Sequence, residues 1–160
     1  MSQSFSSGED IDYAIQLLKA RGYVVKPVVV RDLCRKRRLR KLELKVDGAR
    51  YGLHVLRNVT KSRGQRMQYV HGCVFRERLK SFEKMVVVLA VYGYPRAVLS
   101  IPVDAILAVY GNELQKNIPF NIPIERPSVS RQWLDWWSYE VVPSSAPVSV
   151  RQSAMVGAVL

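Results

Sequence analysis

Acidic residues are scarce in this chain of 160 residues: thirteen Asp and Glu stand against twenty-five Lys and Arg, a formal charge of +12. The imbalance favours polyanionic partners, because each phosphate neutralised by a lysine or arginine releases condensed counterions, and nucleic acid leads that class. Cysteine is scarcer still. Cys34 and Cys73 are the only two, they show none of the paired spacing of a structural zinc site, and free thiols in a reducing compartment are the expectation. No apolar run approaches the roughly 20 residues that cross a bilayer, and Met1-Ser2-Gln3-Ser4-Phe5 opens no secretory pattern. A soluble, intracellular protein without a membrane partner is expected, in the cytoplasm or nucleoid, with nucleus or organelle left open. No base-reading motif is present either, so the sequence does not specify a nucleic-acid type.

What is present is organised around Lys41 to Asn58. Two alternating runs, Leu42-Glu43-Leu44-Lys45-Val46 and Tyr51-Gly52-Leu53-His54-Val55-Leu56, flank Asp47-Gly48, a dipeptide that tolerates the positive φ of a tight turn. This predicts a β-hairpin. Basic residues crowd both its ends: Arg35, Lys36, Arg37, Arg38, Arg40 and Lys41 before it, Arg57, Lys61, Arg63 and Arg66 after it. The run 31–41 has too few apolar side chains for a core element and predicts a loop or a short exposed helix.

Upstream, Ile11, Ala14, Ile15 and Leu18 recur at helical spacing behind Glu9 and Asp10, and Gly22 is placed to end that helix. Tyr23-Val24-Val25 and Val28-Val29-Val30 suggest a strand interrupted or bent at Pro27. Downstream, Met67, Val70, Val74 and Leu79 approximate one face of a second helix. Met85 to Val91, the most hydrophobic run, predicts a central strand buried on both faces. Ala97 to Ile101 reads as another strand, and Pro102 begins a helix carrying Val103, Ile106, Leu107 and Tyr110. Pro119, Pro123 and Pro127 predict a segment that cannot propagate a regular ladder. Trp133, Trp136 and Trp137 either staple that extension to the core or offer faces for base stacking or a partner protein, with burial the default. The expected organisation is a single α/β domain with a central mixed sheet flanked by helices: a core over 1–112, an irregular extension over 113–142 packing on it, and a tail over 143–160.

The order helix, bent strand, hairpin, helix, central strand, strand, helix resembles the PD-(D/E)xK nuclease superfamily, in particular its small branch of Holliday-junction resolvases and Vsr-like and homing endonucleases. Ala14 to Val25 is similar to the opening helix and strand of that branch, Val46 to Val55 to its hairpin, and Val86 to Leu107 to its later strands and helix. The resemblance covers roughly residues 9–110 and implies a restriction-endonuclease-like fold. It also implies an acid on the first hairpin strand, and a Glu or Gln two positions before a Lys on the second, which share a face and hold Mg²⁺. The chain departs from this. The Glu or Gln position falls at His54, the Lys position at Leu56, and the first acid near Lys41 or Glu43. Glu9 matches an acid that the branch sometimes carries on its first helix, and Arg57 lies one residue out of phase for the Lys. Each residue also has a plain reading: Glu43 facing solvent, Asp47 serving the turn, His54 packed or at the surface.

Three functions follow. The first expectation is nucleic-acid binding on a catalytically degenerate nuclease-like fold, with the ten basic residues above on phosphates, no cofactor, and DNA ahead of RNA. The second is a Mg²⁺-dependent endonuclease using Glu9, Glu43, Asp47 and His54. The third is a basic subunit of a ribonucleoprotein assembly whose C-terminal third meets other chains. A homodimer or larger assembly is compatible with the apolar tail.

Overall fold

Ser7–Ala20 forms α1, with Glu9 and Asp10 in its first turn, and Gly22 ends it at φ 97°, a conformation that costs glycine little. The computed structural model describes residues 7–32, 38–61, 68–124 and 135–143. Arg35, Lys36, Arg37, Arg63, Arg66, Trp133 and nearly all of the proposed tail lie outside the described residues.

Two sheets build the domain. The first has five strands: β1 (Val25–Asp32), β2 (Arg38–Val46), β3 (Ala49–Leu56), β6 (Lys84–Leu89) and β7 (Ala97–Pro102), in that spatial order. Its β3–β6 pairing is parallel and the others are antiparallel. The second holds β4 (Val59–Lys61), β5 (Gln68–Phe75) and β8 (Asn117–Pro123), all antiparallel. The mixed α/β architecture is as expected.

Alternation along β6 explains how the layers stack. Val86 and Val88 join the cluster with Ile11, Ala14, Ile15 and Leu18 of α1, whereas Met85, Val87 and Leu89 join Ile118, Phe120 and Ile122 of β8. The helix covers one face of the five-stranded sheet. On the other lie the second sheet and α3 (Val103–Val109), whose Val103 and Ile106 are buried.

The predicted hairpin is present. Asp47 at φ 50° and Gly48 at φ 85° make its turn, with Val46 opposite Ala49, as a type I′ connection requires. The strand is not interrupted at Pro27, which pairs with Leu44 inside a continuous β1; the register with β2 shifts instead between Val28 and Val29.

Three further expectations are overturned. The two ends of the run 31–41 are strand rather than loop or helix, since Arg31 and Asp32 end β1 and Arg38 to Lys41 begin β2; Leu33 to Arg37 lie outside the described residues. Strand detection relies on apolar alternation, which a charged ribbon lacks. The helix predicted from Met67 onward is β5, with only Arg76–Leu79 helical (α2). Val70 and Val74 are buried four residues apart, a spacing that serves period 2 as well as 3.6. The proline-spaced segment does propagate a ladder. Arg76 N donates to Lys116 O and Ile124 N to Gln68 O, so the even-numbered residues hydrogen-bond to β5, while Pro119 and Pro123 turn their missing N–H groups toward the outer edge. The 113–142 extension is therefore partly regular core.

Its remaining described part is a 3₁₀ turn, Trp136–Tyr139. Trp136 is buried edge-on to Phe120 at 5.4 Å, Trp137 Nε1 donates to Pro123 O at 2.8 Å, and Val141 N donates to Val98 O. The stapling role of the tryptophans accounts for both residues, and Trp136 offers no free face for stacking.

Close packing dictates one glycine in the hairpin. A Cβ on Gly52 would lie 2.2 Å from Met85 Sδ and 2.7 Å from Phe82 Cδ2. Gly52→Ala is expected to lower stability by about 1–3 kcal/mol through overpacking, read as a reduced urea midpoint. An unchanged midpoint would mean that Phe82 and Met85 withdraw freely.

Candidate nucleic-acid interface

Strand polarity gathers particular residues at one end of the five-stranded sheet. There β1, β3 and β6 end and β2 and β7 begin. The N-terminal turn of α1 reaches the same end, since Asp10 contacts Arg57, just past β3, and Arg96, just before β7.

Asp10 is fully buried there. Arg96 Nε donates to its Oδ1 at 2.8 Å and Arg57 Nη2 to its Oδ2, so each carboxylate oxygen serves a different guanidinium. Arg96 also lies 3.7 Å from Glu9 and 5.7 Å over the Tyr13 ring. Arg57 Nε is buried without a hydrogen-bond partner among the described residues. The cluster anchors α1 to the sheet. Its outer rim is polar and aromatic: Tyr92 and Tyr94, in the β6–β7 turn, are exposed.

The second feature is the outer half of the β1–β2 hairpin. β2 pairs with β3 only from Glu43 to Val46, while its pairing with β1 continues through Val29–Lys41, Val30–Arg40, Arg31–Leu39 and Asp32–Arg38. Beyond the bulge this is a two-stranded ribbon of four residue pairs, which at ~3.3 Å per residue extends about 13 Å. It carries Arg31, Arg38, Arg40 and Lys41 at that same end, and Lys61 lies at the end of β4.

The four candidate metal ligands are not brought together. Glu9 is exposed on α1. Glu43 pairs with Arg50 at 3.0 Å. Asp47 stays in the turn, where its Oδ1 accepts from Val24 N at 2.8 Å and its N–H donates to Val24 O. His54 lies against Phe120, ring centroids 5.9 Å apart, and close beneath Gly72, where an added Cβ would meet its Nε2 at 2.9 Å. Burial, with Arg78 second, lowers its pKa to about 4. Leu56 is buried in the same inter-sheet core. The face on which the family motif would project is thus covered by the second sheet. Among the described residues no three His, Cys, Asp or Glu side chains are placed to hold a metal.

Sequence reading missed Asp10 and Arg96, because their contact spans 86 positions and first-turn acids ordinarily need no partner. Arg76 and Arg78 also serve the fold. Arg76 is buried, donating from Nε to Gln115 O at 2.9 Å and from Nη2 to Tyr110 O and to Asn112 O; Arg78 lies over the Phe82 ring.

The class defined by these features is a two-sheet α/β domain with a cationic sheet end. No protein-family model, curated protein or solved structure matches the chain. Among the described residues, no helix is long and apolar enough to cross a membrane.

Asp10→Ala leaves two arginines facing a void and is expected to cost about 2–3 kcal/mol, below the value for a fully buried pair because both guanidiniums reach solvent. Glu9→Ala should stay within about 0.5 kcal/mol. Equal losses on urea unfolding would refute the assignment of Asp10 as the anchor. A lowered folded-state pKa at His54 means that its contribution is present above the ordinary value of 6.5 and is lost as pH falls from there toward 4. Between pH 7.5 and 4.5 the parent should lose about 1–3 kcal/mol more than His54→Gln. Parallel pH profiles would show that His54 protonates freely in the fold.

Proposed function

We propose that the protein binds nucleic acid through the cationic end of its five-stranded sheet, on a PD-(D/E)xK-like core that has kept a binding surface and not the hydrolytic donor set. The observation that carries this reading is the register of β1 and β2, which gathers Arg31, Arg38, Arg40 and Lys41 on one ribbon. Arg57 and Arg96 lie at the same end. Arg35, Lys36 and Arg37 belong to the five-residue connection between the two strands. The ribbon gathers four basic positions and one acid, Asp32, on two paired strands, whereas Arg57 is committed to Asp10. The likeness to the nuclease family is supported by α1, by the antiparallel β1–β2–β3 meander and by β6 lying beside β3. A departure is the β3-to-β6 connection, which here contains β4 and β5 as well as a helix. The endonuclease alternative has no assembled donor set among the described residues to support it.

A salt titration of binding to labelled duplex and single-stranded nucleic acids tests the proposal. Affinity should fall with salt at close to one log-log unit per phosphate contact, and replacing Arg31, Arg38, Arg40 and Lys41 together by Thr should flatten the slope by about 3 units. Binding insensitive to salt, or a slope unchanged in the variant, would overturn it. Strands should remain intact on denaturing gels with Mn²⁺ present; discrete cuts would transfer the protein to the endonuclease reading.

A further inference from the structure

The end of the five-stranded sheet opposite Asp10 holds a pocket that nucleic-acid binding does not use. There β3 and β6 begin and β7 ends. The pocket has a volume of about 220 Å³. Tyr51 of β3, Lys84 of β6 and Ser100 of β7 line it from the sheet. Leu18, in the last turn of α1, lines it together with Arg21 and Tyr23 just beyond the helix. The remaining wall is Ser138 to Val141. That wall is fixed to the edge of the sheet, because Glu140 forms a β-bridge with Leu99 and Val141 N donates to Val98 O at 2.8 Å. The carbonyls of Leu17, Leu18 and Lys19 accept from the N–H groups of Arg21, Gly22 and Tyr23, so the end of α1 beside the pocket is capped by its own continuation.

Both signs of charge are present, and they are not paired with each other. Arg21 and Lys84 form no ion pair among the described residues. Glu140 is the acid in the lining. Glu83, next to Lys84, is exposed, and Asp47 is held by Val24 N. Tyr51 has its pKa raised by burial first, then by Glu83, Tyr23 and Asp47, so its hydroxyl stays a donor. A guanidinium and an ammonium converging on one small cavity fit a doubly charged oxyanion. A phosphate monoester carries about −1.5 to −2 at neutral pH on three acceptor oxygens, where a carboxylate carries a single charge. The rest of the lining, Ser and Tyr hydroxyls with one carboxylate, both donates and accepts, as a body bearing several hydroxyl groups requires. The volume lies below the roughly 300–1,000 Å³ of sites for drug-sized ligands, which restricts that body to a single small ring or short chain. A nucleobase is not provided for. Lys84 Nζ lies 6.0 Å over the Tyr51 ring, and Tyr139 packs against the inter-sheet core, so those two rings are already used within the fold.

We infer that this pocket binds a monosaccharide phosphate, with Arg21 and Lys84 on the phosphate and with Tyr51, Ser100 and Glu140 on the sugar hydroxyls. The site is separate from the cationic end of the sheet and does not depend on nucleic-acid binding there.

Isothermal titration calorimetry of the full chain with ribose 5-phosphate and with glucose 6-phosphate tests this. One-to-one binding of at least one of them is expected, about tenfold or more tighter than that of inorganic phosphate or of the same sugar without its phosphate. Arg21→Gln and Lys84→Gln should each weaken that binding about tenfold or more. Lys116→Gln removes an exposed cation just before β8 and should leave it unchanged, which separates the pocket from the overall charge. The inference is overturned by any of four results: no binding of either sugar phosphate at about 10 mM, equal affinity for inorganic phosphate, tighter binding of adenosine 5′-monophosphate than of ribose 5-phosphate, or an affinity that Arg21→Gln and Lys84→Gln leave unchanged or that Lys116→Gln lowers as much. If Lys84→Gln fails to fold, Arg21→Gln, at an exposed position, decides.

Discussion

Burial of β6 on both faces is the constraint from which the rest of the architecture follows. Met85, Val86, Val87 and Val88 are each fully inaccessible, and a strand with no solvent face needs a layer on either side of its sheet. α1 supplies one layer, and the second sheet with α3 supplies the other. The parallel pairing of β6 with β3 requires a crossover. Here that crossover, through β4, β5 and α2, furnishes two of the three strands of the covering sheet. β8 then completes the layer with Ile118, Phe120 and Ile122. Each such side chain removed from water contributes about 1.5–3 kcal/mol, so the crossover is an integral part of the core.

This arrangement explains what was legible in the sequence. β6 was readable because an uninterrupted β-branched run has few other uses, and the hairpin was readable because Asp47-Gly48 combines turn chemistry with alternation on both sides. α1 and α3 carried their own periodicity and end signals. The second sheet was hidden. In β5, Val70 and Val74 fit two periods, and Gly72, which helix propensity would disfavour, is explained only by Leu56 and His54 pressing against it from another strand. In β8 the prolines argued against a ladder, and only the parity of the pairing reconciles them with it. Asp10 was visible as a helix-terminal acid but not as an anchor, since Arg57 and Arg96 come from distant parts of the chain.

Charge needs the same separation of visible from usable. A formal +12 does not say which cations face a ligand. Arg76 is spent on backbone carbonyls, Arg50 on Glu43, and Arg57 and Arg96 on Asp10. Arg78 and Lys84 lie over aromatic rings. These positions are explained by folding without reference to a partner. The ribbon is different, since its outer pairs have no further strand beside them among the described residues. That asymmetry, rather than the total, directs the functional reading to one end of the sheet.

The same geometry bears on the hairpin positions where the metal-binding pair of the resembled nucleases would fall. On β3 the positions that would carry the metal-binding pair are His54 and Leu56, and both face the second sheet, against Phe120 and Gly72. A carboxylate and a lysine there would be enclosed between two apolar layers, where isolated charges are strongly penalised. His54 illustrates the effect, being held neutral by its surroundings at ordinary pH. Restoring the missing residue types would therefore not restore a site unless the second sheet also moved away. Phosphate contacts at a protein surface carry no such requirement, because they need neither burial nor a metal. A sheet covering β3 on that side thus accounts for the absence of an assembled metal-binding donor set on that face among the described residues.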